Sequence, residues 1–470
     1  MQTFDIYCAG QFISTQNPLE VTNPFNNQAF AQTYLAGETE LEQAIQAAQD
    51  CMPALRSMPS HKKSKALFEI AQGLQDQLET LATLLAHESG KPMIYARGEI
   101  MRSIQTFKIA AEECKRLPSE IIQLDWTPAG EGRKGYVQYF PIGLVAGISP
   151  FNFPMNLAVH KIAPALAAGC PIVLKPSTNT PLSTLALARI IDNTDFPKGS
   201  LSILPMNRKN GNQLVTDSRF KLLSFTGSPA VGWRMKEQAG SKKVVLELGG
   251  NAGLLVSDDC DIDLAVEKAV IGGFAYSGQV CIHAQRIYVH RKIFETFSQK
   301  FIQKVAQLTF GNPLDSTTQI SAMIDEDNAI RIENWVNEAL ESGAKLLCGG
   351  KRIGTYYEPT VLVETKPQMK VCALEVFGPV VTLEPFDDFK EAIEGINQSE
   401  FGLQAGVFTN RISEMDFAFE NLEVGGVILN DAPIFRVDHM PYGGIKNSGL
   451  GREGVKYAMM DMLEPRILVK

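Results

Sequence analysis

Between residues 142 and 249 the chain alternates between short apolar runs and amphipathic stretches. The runs at 142–148, 171–175, 200–204, 221–225 and 243–247 have the length of strands. The stretches at 155–168, 181–192, 209–217 and 229–239 carry the period of half-buried helices. A helix between two strands lets the second strand run parallel to the first. Successive units of this kind predict an open, largely parallel sheet with helices on both faces. That regularity argues against a helical bundle and against a sandwich of hairpins. In such a sheet, ligands bind outside the carboxyl ends of the strands.

A second series follows Gly249-Gly250. Strands near 253–256, 285–290 and 380–384 alternate with helices near 261–274, 292–307 and 325–342. The chain is therefore expected to hold two α/β units with a cleft between them. Ahead of the first series, short strands are expected at Phe4–Tyr7 and Gln11–Ile13, with a turn at 23–26. Residues 38–116 read as helical. Thr39 is the expected N-cap, with Glu42 three residues on, and Leu41, Ala44, Ile45 and Ala48 share one face. Segment 119–141 breaks the helical register and becomes extended from Tyr136 to Phe140, which predicts a projecting β arm.

Composition removes several classes of function. Lys+Arg 44 against Asp+Glu 52 gives a net charge of −8, which argues against a broad nucleic-acid surface. No basic residue precedes Arg56, so neither a secretory signal nor a mitochondrial transit peptide is expected, and the cytoplasm is the expected location. Residues 135–159 are uncharged and long enough to span a bilayer, but Pro141, Pro150, Pro154, Asn152 and Asn156 interrupt them. No membrane role is expected. The eight cysteines include no CxxC pair, and the six histidines include no HExxH or HxxxH pair. Free thiols and no metal are the expectation.

Several short motifs carry chemistry. Gly449-Leu-Gly451-Arg-Glu-Gly454 fits GxGxxG, but only 16 residues follow, too few for a dinucleotide unit, so it reads as a loop. Phe225-Thr-Gly227-Ser228 closes a strand and opens a helix, a geometry that aims backbone N–H groups at an anion; an ordinary strand–helix junction has the same sequence. Lys175-Pro-Ser177 ends another strand of the set. Cys281, in Gly278-Gln-Val-Cys281, is a buried thiol or a nucleophile. Glu247, before Gly249-Gly250, is a strand-end charge or a base, and Asn152, in Pro150-Phe-Asn-Phe-Pro154, is a turn residue or an oxyanion donor. A thiolate that attacks a carbonyl, an amide that holds the oxyanion, a carboxylate that activates water and a nicotinamide that accepts hydride would together oxidise an aldehyde.

These motifs, with Glu375-Val-Phe-Gly-Pro379 and Pro441-Tyr-Gly-Gly444, resemble the aldehyde dehydrogenase superfamily over nearly the whole chain. The resemblance implies a doubly wound, Rossmann-like cofactor domain at 1–118 and 142–249, and an α/β catalytic domain at 250–447. It also implies a small β arm and tail for oligomerisation at 119–141 and 455–470. By the same resemblance Cys281 is the nucleophile and Glu247 the general base. Asn152 and the Cys281 N–H form the oxyanion hole, and Lys161 supports the site from behind. Lys175 and Glu375 hold the two riboses of NAD or NADP, Ser177, Gly227 and Ser228 lie along the cofactor, and Phe377 packs by the nicotinamide ribose. The partners implied are a small aldehyde and further copies of the chain, as a homodimer or homotetramer.

The family's substrate tunnel is expected to include His160, Arg436 and Tyr442, with Arg102 facing it from the helix before the arm. Polar and basic groups there favour a short, hydroxylated or anionic aldehyde. Relatives that use phosphorylated aldehydes often carry arginine immediately before the nucleophile; this chain has Val280. Thr178 stands where NAD-preferring relatives commonly carry glutamate, so NADP is expected to be tolerated. A CoA-acylating dehydrogenase or thiol acyltransferase is the alternative activity, disfavoured by Glu247. A nucleotide-binding protein with a relict site is disfavoured by Cys281, Glu247 and Asn152 together.

Overall fold

The first series forms an eight-stranded sheet. Its order is Gly449–Leu450, Lys243–Glu247, Phe220–Thr226, Leu144–Ile148, Ile172–Lys175, Leu201–Ile203, Ile6–Cys8, Gln11–Ile13. The five central strands are parallel neighbours. Antiparallel strands flank these five on both sides, Ile6–Cys8 and then the edge strand Gln11–Ile13 on one and Gly449–Leu450 on the other. In the computed structural model, which spans residues 1–470, the chain thus returns to its first sheet almost at its end.

The second series forms a seven-stranded sheet ordered Lys345–Cys348, Thr360–Val363, Val380–Phe386, Ala284–His290, Ala252–Val256, Gln404–Phe408, Gly426–Leu429. All its pairings are parallel except that of the edge strand Lys345–Cys348. The sequence pattern exposed three of these seven strands. Thr360–Val363 and Gln404–Phe408 are buried at every residue, so they lack the alternation that marks a half-exposed strand. The arm is a third sheet, with Lys134–Pro141 between Ser119–Gln123 and the tail strand Leu463–Val469. Ile121, Ile122, Ile467, Leu468 and Val469 are exposed on it.

Two expectations need correction. The first long helix runs Glu38–Ser57 with Gly37, not Thr39, as its N-cap. The Glu40 carboxylate accepts the Gly37 N–H at 2.7 Å, and Glu42 turns away to pair with Arg219 at 2.7 Å. Of the 455–470 segment, only Leu463–Val469 joins the arm; helix Val455–Asp461 buries Val455 and Met459 in the core beneath the first sheet.

That core positions the site. Helices Ser60–Asp76, Leu78–Ser89 and Met93–Glu113 pack with helix Pro154–Ala168 against one face of the sheet, and a smaller cluster covers the other. Helix Pro154–Ala168 starts with proline at its first position and stops at Gly169, whose φ of 87° suits glycine. Every residue between is buried. His160 and Lys161 are therefore carried into the interior, where each needs a polar partner. No helix is long and apolar enough to cross a membrane.

Candidate active site

Strand Lys243–Glu247 delivers Glu247 to the carboxyl edge of the first sheet, and Gly249-Gly250 then carries the chain across to the second. Cys281 arrives from the other side. It follows helix Ile262–Phe274 and a strained turn in which Tyr276 (φ 51°) and Ser277 (φ 53°) are left-handed. Buried bonds hold that turn: Tyr276 donates to the Ser89 carbonyl at 3.0 Å and Ser277 to the Ser321 carbonyl at 2.8 Å. The crossing is tight, since a Cβ on Gly250 would stand 2.1 Å from the Cys281 carbonyl oxygen. Glycine is needed there for close approach.

Between the sheets lies a cavity of about 360 Å³. Asn152, Gly227, Ser228, Glu247, Cys281, Glu375, Phe377, Arg436 and Tyr442 all line it. Burial pushes the Cys281 thiol up to about 11, opposed by the Tyr442 hydroxyl 3.1 Å from Sγ. Glu247 is buried and neither of its carboxylate oxygens has a partner. Burial first, and the Glu453 charge second, raise it well above the usual carboxylate range. Asn152 spends one N–H on the Gln279 carbonyl at 2.9 Å and has a second to offer. Its own carbonyl accepts from Lys91 at 2.6 Å, which anchors the loop.

Behind the cavity runs a chain of buried charges. Lys161 donates to Thr226 Oγ1 at 2.7 Å and to Glu453 Oε1 at 3.3 Å. Arg436 donates to Glu453 Oε2 at 2.9 Å, and its guanidinium lies 3.6 Å from the centre of the Tyr442 ring. His160 Nε2 is 3.4 Å from Arg436 Nη2 and 2.8 Å from Asp438 Oδ1, and Arg102 donates to the same Oδ1 at 2.7 Å. Burial alone would raise Glu453 and Asp438. Lys161 and Arg436 outweigh it for Glu453, and His160 and Arg102 for Asp438, so both stay ionised.

The structure thus gathers most of the predicted residues and adds two. Asp438 and Glu453 were not singled out from sequence. Glu453 lies inside the discounted glycine run 449–454, and Asp438 is two residues past Arg436. No short motif marks either. Lys175, Ser177 and Thr178 sit apart from the cavity at the end of strand Ile172–Lys175. Thr178 lines a different hollow with Asn179, Asp325 and Glu326.

A dinucleotide fits the residues on this edge. Ser228 caps helix Pro229–Gln238 without using its side chain; Pro229 has no N–H and the Val231 N–H donates to the Ser228 carbonyl at 3.2 Å, which leaves the Ala230 N–H for an anion. A Cβ on Gly227 would stand 2.5 Å from the Phe225 ring, so the turn is closed to larger residues. Lys175 has only the Pro176 carbonyl at 3.4 Å; burial and then Arg208 push its ammonium down to about 8, an under-partnered donor. Glu375 accepts the Gly250 N–H at 2.9 Å, and burial raises it to about 7. Phe377, at a φ of 48°, meets Phe151 edge-on with centroids 5.8 Å apart.

Known proteins are similar to this chain over nearly its whole length. A 3-sulfolactaldehyde dehydrogenase of Priestia aryabhattai is 41% identical over 470 residues, covering 100% of this chain and 98% of its own. The crystal structure of aldehyde dehydrogenase 21 from Physcomitrella patens, in complex with the reaction product succinate, superposes with a TM-score of 0.98. It is 45% identical over 100% of this chain and 98% of that one. A glyceraldehyde-3-phosphate dehydrogenase from Methanocaldococcus jannaschii, complexed with NADP, gives a TM-score of 0.92 at 37% identity, covering 96% and 98%. The profile of the aldehyde dehydrogenase family spans residues 12–468. The chain belongs to the aldehyde dehydrogenase family.

Proposed function

We propose that this NAD(P)-dependent aldehyde dehydrogenase oxidises a short aldehyde bearing an anionic or hydroxylated head group to its carboxylic acid. One observation carries the substrate class. The Arg436 guanidinium, almost fully buried, lies over the Tyr442 ring whose hydroxyl touches the Cys281 thiol, so a fixed cation stands one ring away from the nucleophile. Arg436 Nε and His160 Nδ1 are both buried without partners. Buried polar atoms of that kind are satisfied by a substrate oxygen or a water. The P. aryabhattai relative is named for an aldehyde with a hydroxyl and one sulfonate, and the P. patens relative was crystallised with a carboxylate product.

In the proposed mechanism Cys281 is the nucleophile. Its thiol proton goes to Glu247, whose raised carboxyl makes it a far stronger base than a solvent-exposed glutamate. Tyr442 donates to the thiolate. Sγ then bonds to the aldehyde carbon, and the second Asn152 N–H, with the Cys281 backbone N–H, holds the oxyanion. Bound nicotinamide supplies the hydride acceptor for the oxidation. Glu247 passes the thiol proton on to solvent and then removes a proton from water, which attacks the thioester and releases the acid as Sγ leaves. Lys161 keeps Glu453 ionised and in place behind this carboxyl. A general base at this position favours the acid over an acyl-CoA product. Lys175, Ser177, Gly227, Ser228, Glu375 and Phe377 hold the cofactor, and neutral Thr178 admits NADP as well as NAD. The exposed apolar residues of the arm favour a homodimer or homotetramer built through it.

The test is a panel of propanal, lactaldehyde and succinate semialdehyde, each with NAD and NADP, with and without CoA. Higher kcat/KM for the hydroxylated or anionic aldehydes, with acid as the product, is expected. A preference for propanal, or acyl-CoA formation, would overturn the reading.

A further inference from the structure

The ammonium of Lys91 is fully buried, and four groups converge on it. It pairs with the Glu99 carboxylate and donates to the Asn152 backbone carbonyl at 2.6 Å. It also lies 3.8 Å from the centre of the Phe153 ring and 4.3 Å from that of Tyr276, within the range of cation–π attraction. Two of these groups belong to the loop of the oxyanion donor, and one to the strained turn that leads to Cys281. The other Glu99 oxygen accepts the Met155 and Asn156 N–H groups at 2.9 and 3.1 Å, in the first turn of helix Pro154–Ala168. The ion pair thus holds the loop at Asn152 and again where the helix begins.

These contacts close a circuit. Lys91 holds the Asn152 carbonyl, the Asn152 side chain donates to the Gln279 carbonyl at 2.9 Å, and the Gln279 N–H donates to the Tyr276 carbonyl at 3.1 Å. The Tyr276 ring returns to the Lys91 ammonium, and its hydroxyl donates to the carbonyl of Ser89, two positions before Lys91. Gln279 is two positions before Cys281. A buried ion pair is a weak source of stability, since apolar residues of the same volume are often as stable. What this pair supplies is geometry. An oxyanion donor must stand about 2.7–3.1 Å from the developing charge. A displacement of about 1 Å can cost roughly a hundredfold in rate.

We propose that Lys91 is a positioning residue that fixes the oxyanion donor Asn152 against the turn carrying Cys281. This rests on the mechanism above, in which Asn152 holds the oxyanion, and deepens it. Lys91 is outside the lining of the cavity and acts through Asn152, not on the substrate. The partner of the Cys281 thiol is the Tyr442 hydroxyl, which is no part of the circuit. Loss of the ammonium therefore frees the oxyanion loop without removing any contact of the thiol.

The experiment follows the first turnover by stopped-flow absorbance at 340 nm, with enzyme in excess over propanal and saturating NAD or NADP. K91M should slow that turnover at least tenfold. Alkylation of Cys281 by iodoacetamide, located by mass spectrometry, forms no oxyanion; its rate and the cofactor Kd should stay within twofold of wild type. N152A should be slower still, by about 10²–10³-fold, as for the loss of one oxyanion donor. K91M/N152A should be no slower than N152A. K91M/E99Q leaves neither partner of the ion pair charged and takes the place of K91M where the single variant fails to fold. A first turnover within twofold of wild type in the folded Lys91 variant would overturn the role of Lys91. So would a slowing that multiplies with that of N152A, or alkylation slowed in step with turnover. In each of those cases a slow N152A leaves the oxyanion assignment standing. N152A at the wild-type rate would overturn that assignment and this proposal together.

Discussion

Replacing Glu247 by glutamine probes the proposed mechanism most directly. Neither carboxylate oxygen of Glu247 has a hydrogen-bond partner, so an amide of the same shape breaks no existing bond. The fold should survive. What disappears is a base, and general base catalysis typically contributes about 10²–10⁴-fold, or about 3–5 kcal/mol of barrier. The loss falls on the hydrolytic half. Once the thiolate exists, hydride transfer needs no proton acceptor, so one equivalent of reduced cofactor per site should still form. Stopped-flow absorbance at 340 nm should show a burst, then turnover slowed by that factor, and mass spectrometry should find the acyl group on Cys281. Glu247 also takes the thiol proton in this scheme, so the burst itself should be slower at neutral pH and recover as pH approaches the thiol value of about 11. Stability gives an independent check of sign. A carboxyl raised on folding binds its proton more tightly in the native state, so its stabilising contribution is full below the unfolded pKa of about 4.3 and is lost as pH rises through the folded value. E247Q should lack that loss and gain thermal stability relative to wild type in alkaline buffer. Steady-state turnover equal to wild type, with no adduct, would refute the assignment.

Other substitutions test neighbouring steps. Tyr442→Phe removes the hydroxyl that opposes the burial of the thiol, so the alkylation of Cys281 by iodoacetamide should shift to higher pH; an unmoved profile would mean the 3.1 Å contact does not support the thiolate. Cys281→Ala should abolish aldehyde oxidation while leaving cofactor binding, read by fluorescence titration, nearly intact; comparable turnover would remove Cys281 from the chemistry. Thr178→Glu should depress kcat/KM for NADP far more than for NAD, through repulsion of the 2′-phosphate; an unchanged ratio would show that this residue does not face the adenosine ribose.

The parts of this molecule that could be read from sequence are those whose physics is local. The five parallel strands of the first sheet announce themselves because each is short and apolar and amphipathic helices separate them. Cys281, Glu247 and Asn152 stand out because each sits in a run of small or stiff residues, but those runs alone left each open to a structural reading, and their catalytic roles came from the family resemblance. Asp438 and Glu453 were missed for the opposite reason. Their significance lies in partners far away in the chain, Arg102 for one and Lys161 for the other, separated by 336 and 292 positions. Nothing in the residues beside them distinguishes them from solvated charges. The N-cap at Gly37 was misplaced because Glu40, not Glu42, closes the box, a choice settled when Arg219 captured Glu42.

The return of the chain to its first sheet has a consequence in time. Lys161 enters the interior of a core that also takes in Val455, Met459, Met462 and Leu463 from far along the chain, and its counter-charge, Glu453, is 292 positions downstream. At about 5–20 residues per second a ribosome needs roughly 15–60 s to cover that interval. Throughout it the nascent N-terminal half holds an ammonium with no carboxylate to meet it and a sheet edge with no strand to cover it. Folding of that half is thereby tied to the synthesis of residues 449–459, and a chain released short of residue 449 should remain open to protease where the 470-residue chain is not.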